Sequence, residues 1–302
     1  MDTLWRTLQV ALLAVGAGAA YLVLLAAIAF VGSAVILRLR PRRAAKARSR
    51  SEASAIKSRM TRMALPTLRL IPAKSLAFSR FGGDPELPMT ALWPTSRGRN
   101  RAFLAQIDLA DVRAHGGPDW LPETGRVYAF LDGDGYGFAD QIEIALHRDE
   151  PVVTREPPAG VRRYPERKVT FETFTSRPSL DWLGIDLQEI DVSEAELDEL
   201  SDMTGAPFGD GPEHRIGGYP SEIQGDQMWI SCELIRRGLP EGADVTDAIR
   251  RAAREWRLLL QFDSDNALGM NWGDGGLFYV FVRERDARAG DFSKTITLSQ
   301  TH

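Results

Sequence analysis

The chain has 302 residues, of which 44% are apolar and 26% charged, a length that suits one large domain or two small ones. Its only cysteine, Cys232, excludes an intramolecular disulfide and a cysteine-based zinc site, and fits a reducing compartment. The net charge of −4 hides an asymmetry: residues 1–72 carry twelve Lys/Arg against two Asp/Glu, residues 73–302 carry 25 against 39. So acidic a body argues against nucleic acid as a partner, because neutralising phosphates needs clustered cations.

The chain opens with an apolar run, Val10 to Leu37, 28 residues without a charge. As a helix it reaches about 42 Å, enough to cross a hydrocarbon core of about 30 Å. A signal peptide has a shorter apolar region, about 7–15 residues, with its positive charge in front. Here the charge follows, as Arg38, Arg40, Arg42, Arg43, Lys46, Arg48 and Arg50, against Arg6 alone on the other side. Residues 1–37 therefore read as a single membrane anchor in the lipid bilayer, with the N-terminus outside and the body in the cytoplasm. The same basic cluster attracts anionic headgroups, about 1 kcal/mol per residue near the surface. Residues 38–72 read as a basic juxtamembrane segment and linker, containing either a short helix that ends before Pro66 or a tether. Folded sequence is expected from near Ile71, so that the domain occupies 73–302.

Within that domain one phrase occurs twice. "SRFGGDP" (79–85) and "HRIGGYP" (214–220) share Arg, Gly, Gly and Pro. "FLAQIDLA" (103–110) then "GRVYAFLD" (125–132) follow the first, and "LLLQFDSD" (258–265) then "GLFYVFVR" (276–283) follow the second. Gln106 and Asp108 align with Gln261 and Asp263. Three blocks in one order indicate two related halves, about 75–150 and 205–300, facing each other across a pseudo-twofold axis. Each Gly-Gly pair before x-Pro supplies a tight corner into a strand. "VYAFL", "FYVFV", "QIEIALH" (141–147) and "VTFETF" (169–174) have the composition or alternation of strands. Ser193 with Glu196 forms a capping box for one helix. A second is expected over 245–257, capped by Asp244, with Val245, Ile249, Ala252 and Trp256 as its apolar stripe and Arg250, Arg251, Arg254 and Arg257 off it. This helix belongs to an insertion: Gly82 to Gln106 is 24 residues, Gly217 to Gln261 is 44. The expected class is α+β, mainly antiparallel β with a few helices, internally duplicated and preceded by one N-terminal transmembrane helix.

"SRFGGDPELPMTALWP", "FLAQIDL", "GGYPSEIQGD" and "LLLQFDSDNALGMNWGDGGLFYVFV" resemble the signature blocks of the YwqG-like family, bacterial domains of unknown function. The resemblance spans roughly 75–297 and implies a compact, β-rich α+β fold without an established reaction. It also makes the expected location a bacterial inner membrane, the anchor itself being read from this sequence alone.

Several residues are candidates for chemistry. In "DGDGYGFADQIE" (132–143), Asp132, Asp134, Asp140 and Glu143 sit at calcium-loop spacing, but Tyr136 holds a ligand position and the flanks read as strands, not helices. Asp263, Asp265 and Asp274, joined by Asp108, could hold Mg²⁺ or Ca²⁺ or act as acid and base; otherwise they cap turns. Gln106 and Gln261 either bind a ligand or bond to backbone across a seam. Trp93, Tyr219, Trp229 and Trp272 line a pocket or fill a core, and Gln224 faces a loop. Among the histidines His214 is the best acid–base candidate. No nucleotide-binding loop, nucleophile elbow or zinc-protease motif is present. The leading expectation is a ligand- or protein-binding module without catalysis and without a cofactor, a divalent cation being the one exception the Asp cluster leaves open. An acidic stretch at 181–202 suits a protein partner. The alternatives are a metal-dependent enzyme using Asp263, Asp265 and Asp274, and an immunity-type protein that neutralises a basic toxin.

Overall fold

A computed structural model describes residues 50–74, 77–133, 141–148, 150–204, 211–224 and 227–302. The expected anchor over 10–37 and the basic positions Arg38 to Arg48 lie outside the described residues. Among the described residues no helix is long and apolar enough to cross a membrane.

The chain divides into two compact units. In the described part of the smaller, residues 50–57 and 190–198, the backbone N–H of Asp191 donates to the Glu52 carboxylate, and Ser193 and Glu196 form the expected capping box, Oγ to Oε2 2.6 Å. The larger unit takes in 58–189 and 199–302 and carries the sheet.

In chain order the elements are helix α1 over 50–62, then strands β1 (Leu65–Pro72), β2 (Arg80–Phe81), β3 (Glu86–Pro88), β4 (Thr95–Ser96), β5 (Arg99–Asn100) and β6 (Ala102–Asp108). Helix α2 (Leu109–Ala114) leads to β7 (Arg126–Leu131), β8 (Ile142–His147), β9 (Val152–Thr154) and β10 (Arg167–Ser176). After α3 (Glu194–Asp202) and β11 (Arg215–Ile216) come helices α4 (Met228–Arg236) and α5 (Asp247–Ala253). The chain closes with β12 (Trp256–Asp263), β13 (Leu277–Arg283), α6 (Glu284–Ala289) and β14 (Ile296–Gln300).

Ten strands form one sheet in the order β14-β13-β12-β11-β1-β10-β2-β6-β7-β8, each pair antiparallel. The order is a palindrome of roles. From its centre, β1 carries β11 to β14 on one side and β10 carries β2, β6, β7 and β8 on the other. Both halves even share a bulge, between Phe103 and Ala105 in β6 and between Leu258 and Leu260 in β12. The backbone N–H of Ile142 in β8 donates to Thr297 Oγ1 of β14, 3.2 Å, so the two edges meet and the sheet is a nearly closed barrel.

The alternation of side chains explains the closure. Leu104, Val127 and Ala129 of one half share an interior core with Leu260, Phe262, Phe278 and Val280 of the other. The opposite faces are buried too, which is why these strands read as continuous apolar runs. Phe103, Tyr128 and Phe130 lie under Leu87 and Trp93. Their counterparts Leu258, Tyr279 and Phe281 lie under α4 and α5, the inserted helices.

Two expectations are corrected. The linker does not extend to residue 72: Leu65–Pro72 is a central strand, Leu68 is fully buried, and β1 pairs along its whole length with β10. The inserted helix is shorter than 245–257. Thr246, not Asp244, caps it by accepting from the Ile249 N–H, and Trp256 opens β12 opposite Arg283. Strand pairing along β13 and burial of the Trp256 ring outweigh the helical spacing of that side chain. Helix α4, "MWISCELIR", was not foreseen.

Candidate functional site

The two glycine corners have the same geometry. Gly82 and Gly83 adopt φ of +53° and +71°, Gly217 and Gly218 of +70° and +69°. A Cβ on Gly218 would lie 1.9 Å from Thr67 Oγ1, and one on Gly82 2.4 Å from the Pro165 carbonyl. Neither the left-handed backbone nor the space admits another residue.

Each corner is held by its glutamine. Gln106 Oε1 accepts from the Glu86 N–H at 2.9 Å, and its Nε2 donates to the Phe78 carbonyl at 3.1 Å. Gln261 does the same with the Ser221 N–H and the Glu213 carbonyl, both at 2.9 Å. Tyr128 and Tyr279 complete the pattern by donating to the Glu86 and Ser221 carbonyls, at 2.5 and 2.6 Å. Each amide thus bonds to backbone of its own half, not across the seam.

The aspartates are placed as follows. The Asp108 N–H donates to Ser79 Oγ, and its carboxylate caps α2 and lies 3.8 Å from Arg126. At the equivalent position the Asp263 N–H donates to His214 Nδ1 at 3.1 Å, and the carboxylate accepts from the Glu213 N–H at 2.7 Å. Burial pushes the Asp263 carboxyl up from its ordinary pKa despite that bond. With Nδ1 accepting, the ring proton sits on Nε2, 3.7 Å from Asp265 Oδ2, too long for a hydrogen bond. His214, the Ala267 N–H and Arg167 hold the Asp265 carboxyl below its usual range. Asp274 stands exposed at a turn, where its carbonyl accepts from the His302 N–H. Trp272 donates to the Asp263 carbonyl and packs on Phe278, and Gln224 donates to the Thr301 carbonyl. Asp132 and Glu143 face Arg99 and Arg101, at 3.8 and 3.1 Å, whereas Asp134 and Asp140 lie outside the described residues. Among the described residues no group of three or more His, Cys, Asp or Glu side chains is placed to hold a metal ion.

A cleft lies elsewhere, on the outer face of the second half. Its volume is about 1170 Å³. Its floor is Trp256, Leu258 and Phe281 of the sheet; its walls are Trp229 of α4, Tyr219 of the glycine corner and Trp182 of the loop before α3. Trp182 meets Tyr219 at 5.2 Å and Trp229 at 5.3 Å between ring centroids. Tyr219 donates to the Met63 carbonyl, and burial pushes its phenol up to about 12. Arg59, Arg250, Arg254 and Arg257 supply cations, Asp181 and Asp186 carboxylates. Arg59 is bonded to the Leu183 carbonyl and Arg257 to Glu284.

Of the residues named in the sequence as candidates for chemistry, Tyr219 and Trp229 line this cleft. Trp93 packs on Phe130 instead. Trp182 and Arg59 come from separated segments and give no local signal, whereas Arg250, Arg254, Trp256 and Arg257 read in the sequence as parts of one helix and not as a site. The available signal was compositional: an arginine row at 250, 254 and 257 inside the insertion that the first half lacks.

A family model for a domain of unknown function, DUF1963, matches residues 79–300. The chain belongs to the DUF1963 family. No curated protein matches it. The DUF1963 match takes in both glycine corners, both glutamines and most of the cleft. It begins after β1, although β1 is the strand that joins β11 to β10 and completes the DUF1963 sheet.

Proposed function

We propose that this DUF1963 chain is a membrane-tethered, cytoplasmic binding module of YwqG-like type, whose ligand site is the cleft between the second glycine corner and the inserted helices. One observation carries this reading. The halves repeat each other in strand order, bulge, corner and glutamine bonds, and the cleft is where the second half departs from the first. A duplicated scaffold keeps its symmetric parts for stability and is free to place function where symmetry breaks. The lining suits binding, since it sets guanidinium and indole donors and a phenol raised to about 12 beside the Asp181 and Asp186 carboxylates.

The tether is supported by the uncharged run over 10–37 and the arginines behind it. Fusions test it: fluorescent protein on the C-terminus should light at the cell membrane, and alkaline phosphatase there should stay inactive. Active phosphatase would reverse the topology, and a soluble fusion would remove the anchor. A thermal-shift screen of small metabolites against the full chain in detergent tests the module. A hit should lose its effect in Trp182→Ala, and turnover of the hit would overturn the non-catalytic reading.

A further inference from the structure

We infer that the cleft takes a small organic anion: a flat ring carrying a phosphate or carboxylate group. Three independent features converge on that chemistry. First, Arg250 and Arg254 line the cleft with no carboxylate partner among the described residues, while the neighbouring cations Arg59 and Arg257 are already engaged. They are spaced i and i+4 along α5 and its C-terminal end, so both reach the same side. Surface arginines are ordinarily just solvated, and basic residues are favoured at a helix C-terminus; alone these two would carry nothing.

Second, the Trp229 indole N–H is buried and has no acceptor among the described residues. The residue is 6% exposed, lines the cleft, and leaves unmade a hydrogen bond that a buried indole ordinarily makes. A ligand that displaces the neighbours now shielding this N–H would supply the acceptor, and a phosphate or carboxylate brings the oxygen for it. Third, the rings of Trp182, Tyr219 and Trp229 form a continuous aromatic wall. Such a wall gains most from a planar partner, and a guanidinium beside it can pair bidentately with an oxyanion. The volume, about 1170 Å³, lies just above the usual range of about 300–1,000 Å³ for a small-molecule site and leaves room for a ring with an appended acid group.

This assignment rests on the cleft being a binding site, and its test separates the two ideas. Calorimetric titration of the full chain in detergent uses adenosine monophosphate and indole-3-acetate as anionic ring probes, adenosine and indole-3-acetamide as their neutral counterparts, and inorganic phosphate. The expected result is that one anionic ring binds at least tenfold tighter than its neutral counterpart and tighter than phosphate alone. Which of the two binds tells phosphate from carboxylate. The double variant Arg250→Glu and Arg254→Glu, both on exposed positions, should melt as the parent does and lose at least tenfold in affinity. Trp229→Phe should weaken the same probe while the neutral ring is unaffected. Equal binding of charged and neutral rings would refute the anionic assignment and leave the cleft a binding site. Silence from all five probes overturns the assignment, and together with a blank metabolite screen it overturns the module as well.

Discussion

Replacing Gln261 by Leu tests the symmetric scaffold at its most sensitive point. The side chain is 1% exposed, and its amide satisfies two backbone groups, the Ser221 N–H and the Glu213 carbonyl. Leucine has nearly the same volume, so packing changes little and the loss is polar. Leaving a buried donor or acceptor unpaired costs about 1–3 kcal/mol each, so the pair costs about 4 kcal/mol. For a body of this size, about 2–4 °C per kcal/mol converts that to a fall of about 8–16 °C in Tm. Gln106→Leu strands the Glu86 N–H and the Phe78 carbonyl in the same way and should cost a similar amount. Chemical denaturation of both variants beside the parent measures this. A loss under about 1 kcal/mol at either site would refute the role of the amide as the corner's hydrogen-bond partner. A glutamine reserved for ligand would behave oppositely, with affinity falling while the melting temperature stayed put.

Other consequences are as direct. Gly218→Ala places a Cβ against Thr67 and Ser176 at a left-handed φ and should abolish soluble folded protein, whereas Gly160→Ala, with open space around it, should cost about 1–2 kcal/mol in a melt. Glu233, 1% exposed, is bonded by Arg237, Arg283 and Trp256. Burial pushes its carboxyl up, but those bonds more than offset it and the pKa is lowered. Its contribution is therefore full above the ordinary carboxylate range and lost as pH falls through the folded value; Glu233→Gln should cost about 3–5 kcal/mol at pH 7 and flatten the acid limb of a stability–pH curve. Tyr219, raised to about 12, has the opposite sign: its neutral form favours the fold, fully below about pH 10 and less as pH climbs toward 12. Tyr219→Phe should remove that alkaline loss, and absorbance titration at 295 nm should show one phenol fewer titrating late.

How much of this was legible varied with the range of the interaction. The glycine corners were plain because φ above zero and an x-Pro step leave a signature in four adjacent letters. Strands β7 and β13 were plain because both of their faces are buried, so aromatic and branched residues run without interruption. The trailing half of the supposed linker was misread for the same local reason: "LPTLRLIP" has proline at two of its eight positions, and its partners Arg167–Ser176 and Arg215–Ile216 lie about 100 and 150 residues away. Trp256 kept a helical spacing from Ile249, yet the ladder with β13 claimed it for a strand.

The sequence by itself determined the duplication, the equivalence of Gln106 with Gln261 and of Asp108 with Asp263, and the presence of an insertion in one half only, because each is a matter of letters and their order. Tertiary structure alone decided that the two amides serve their own corners, that Asp263 and Asp265 answer to backbone, His214 and Arg167, and that Trp182, Tyr219, Trp229, Arg250 and Arg254 meet in one cleft. The physical reason is that hydrogen-bond partners and cleft walls are chosen by distance in space, and segments from residue 59 to residue 281 acquire those distances only when the sheet curls round and the inserted helices settle on its outer face.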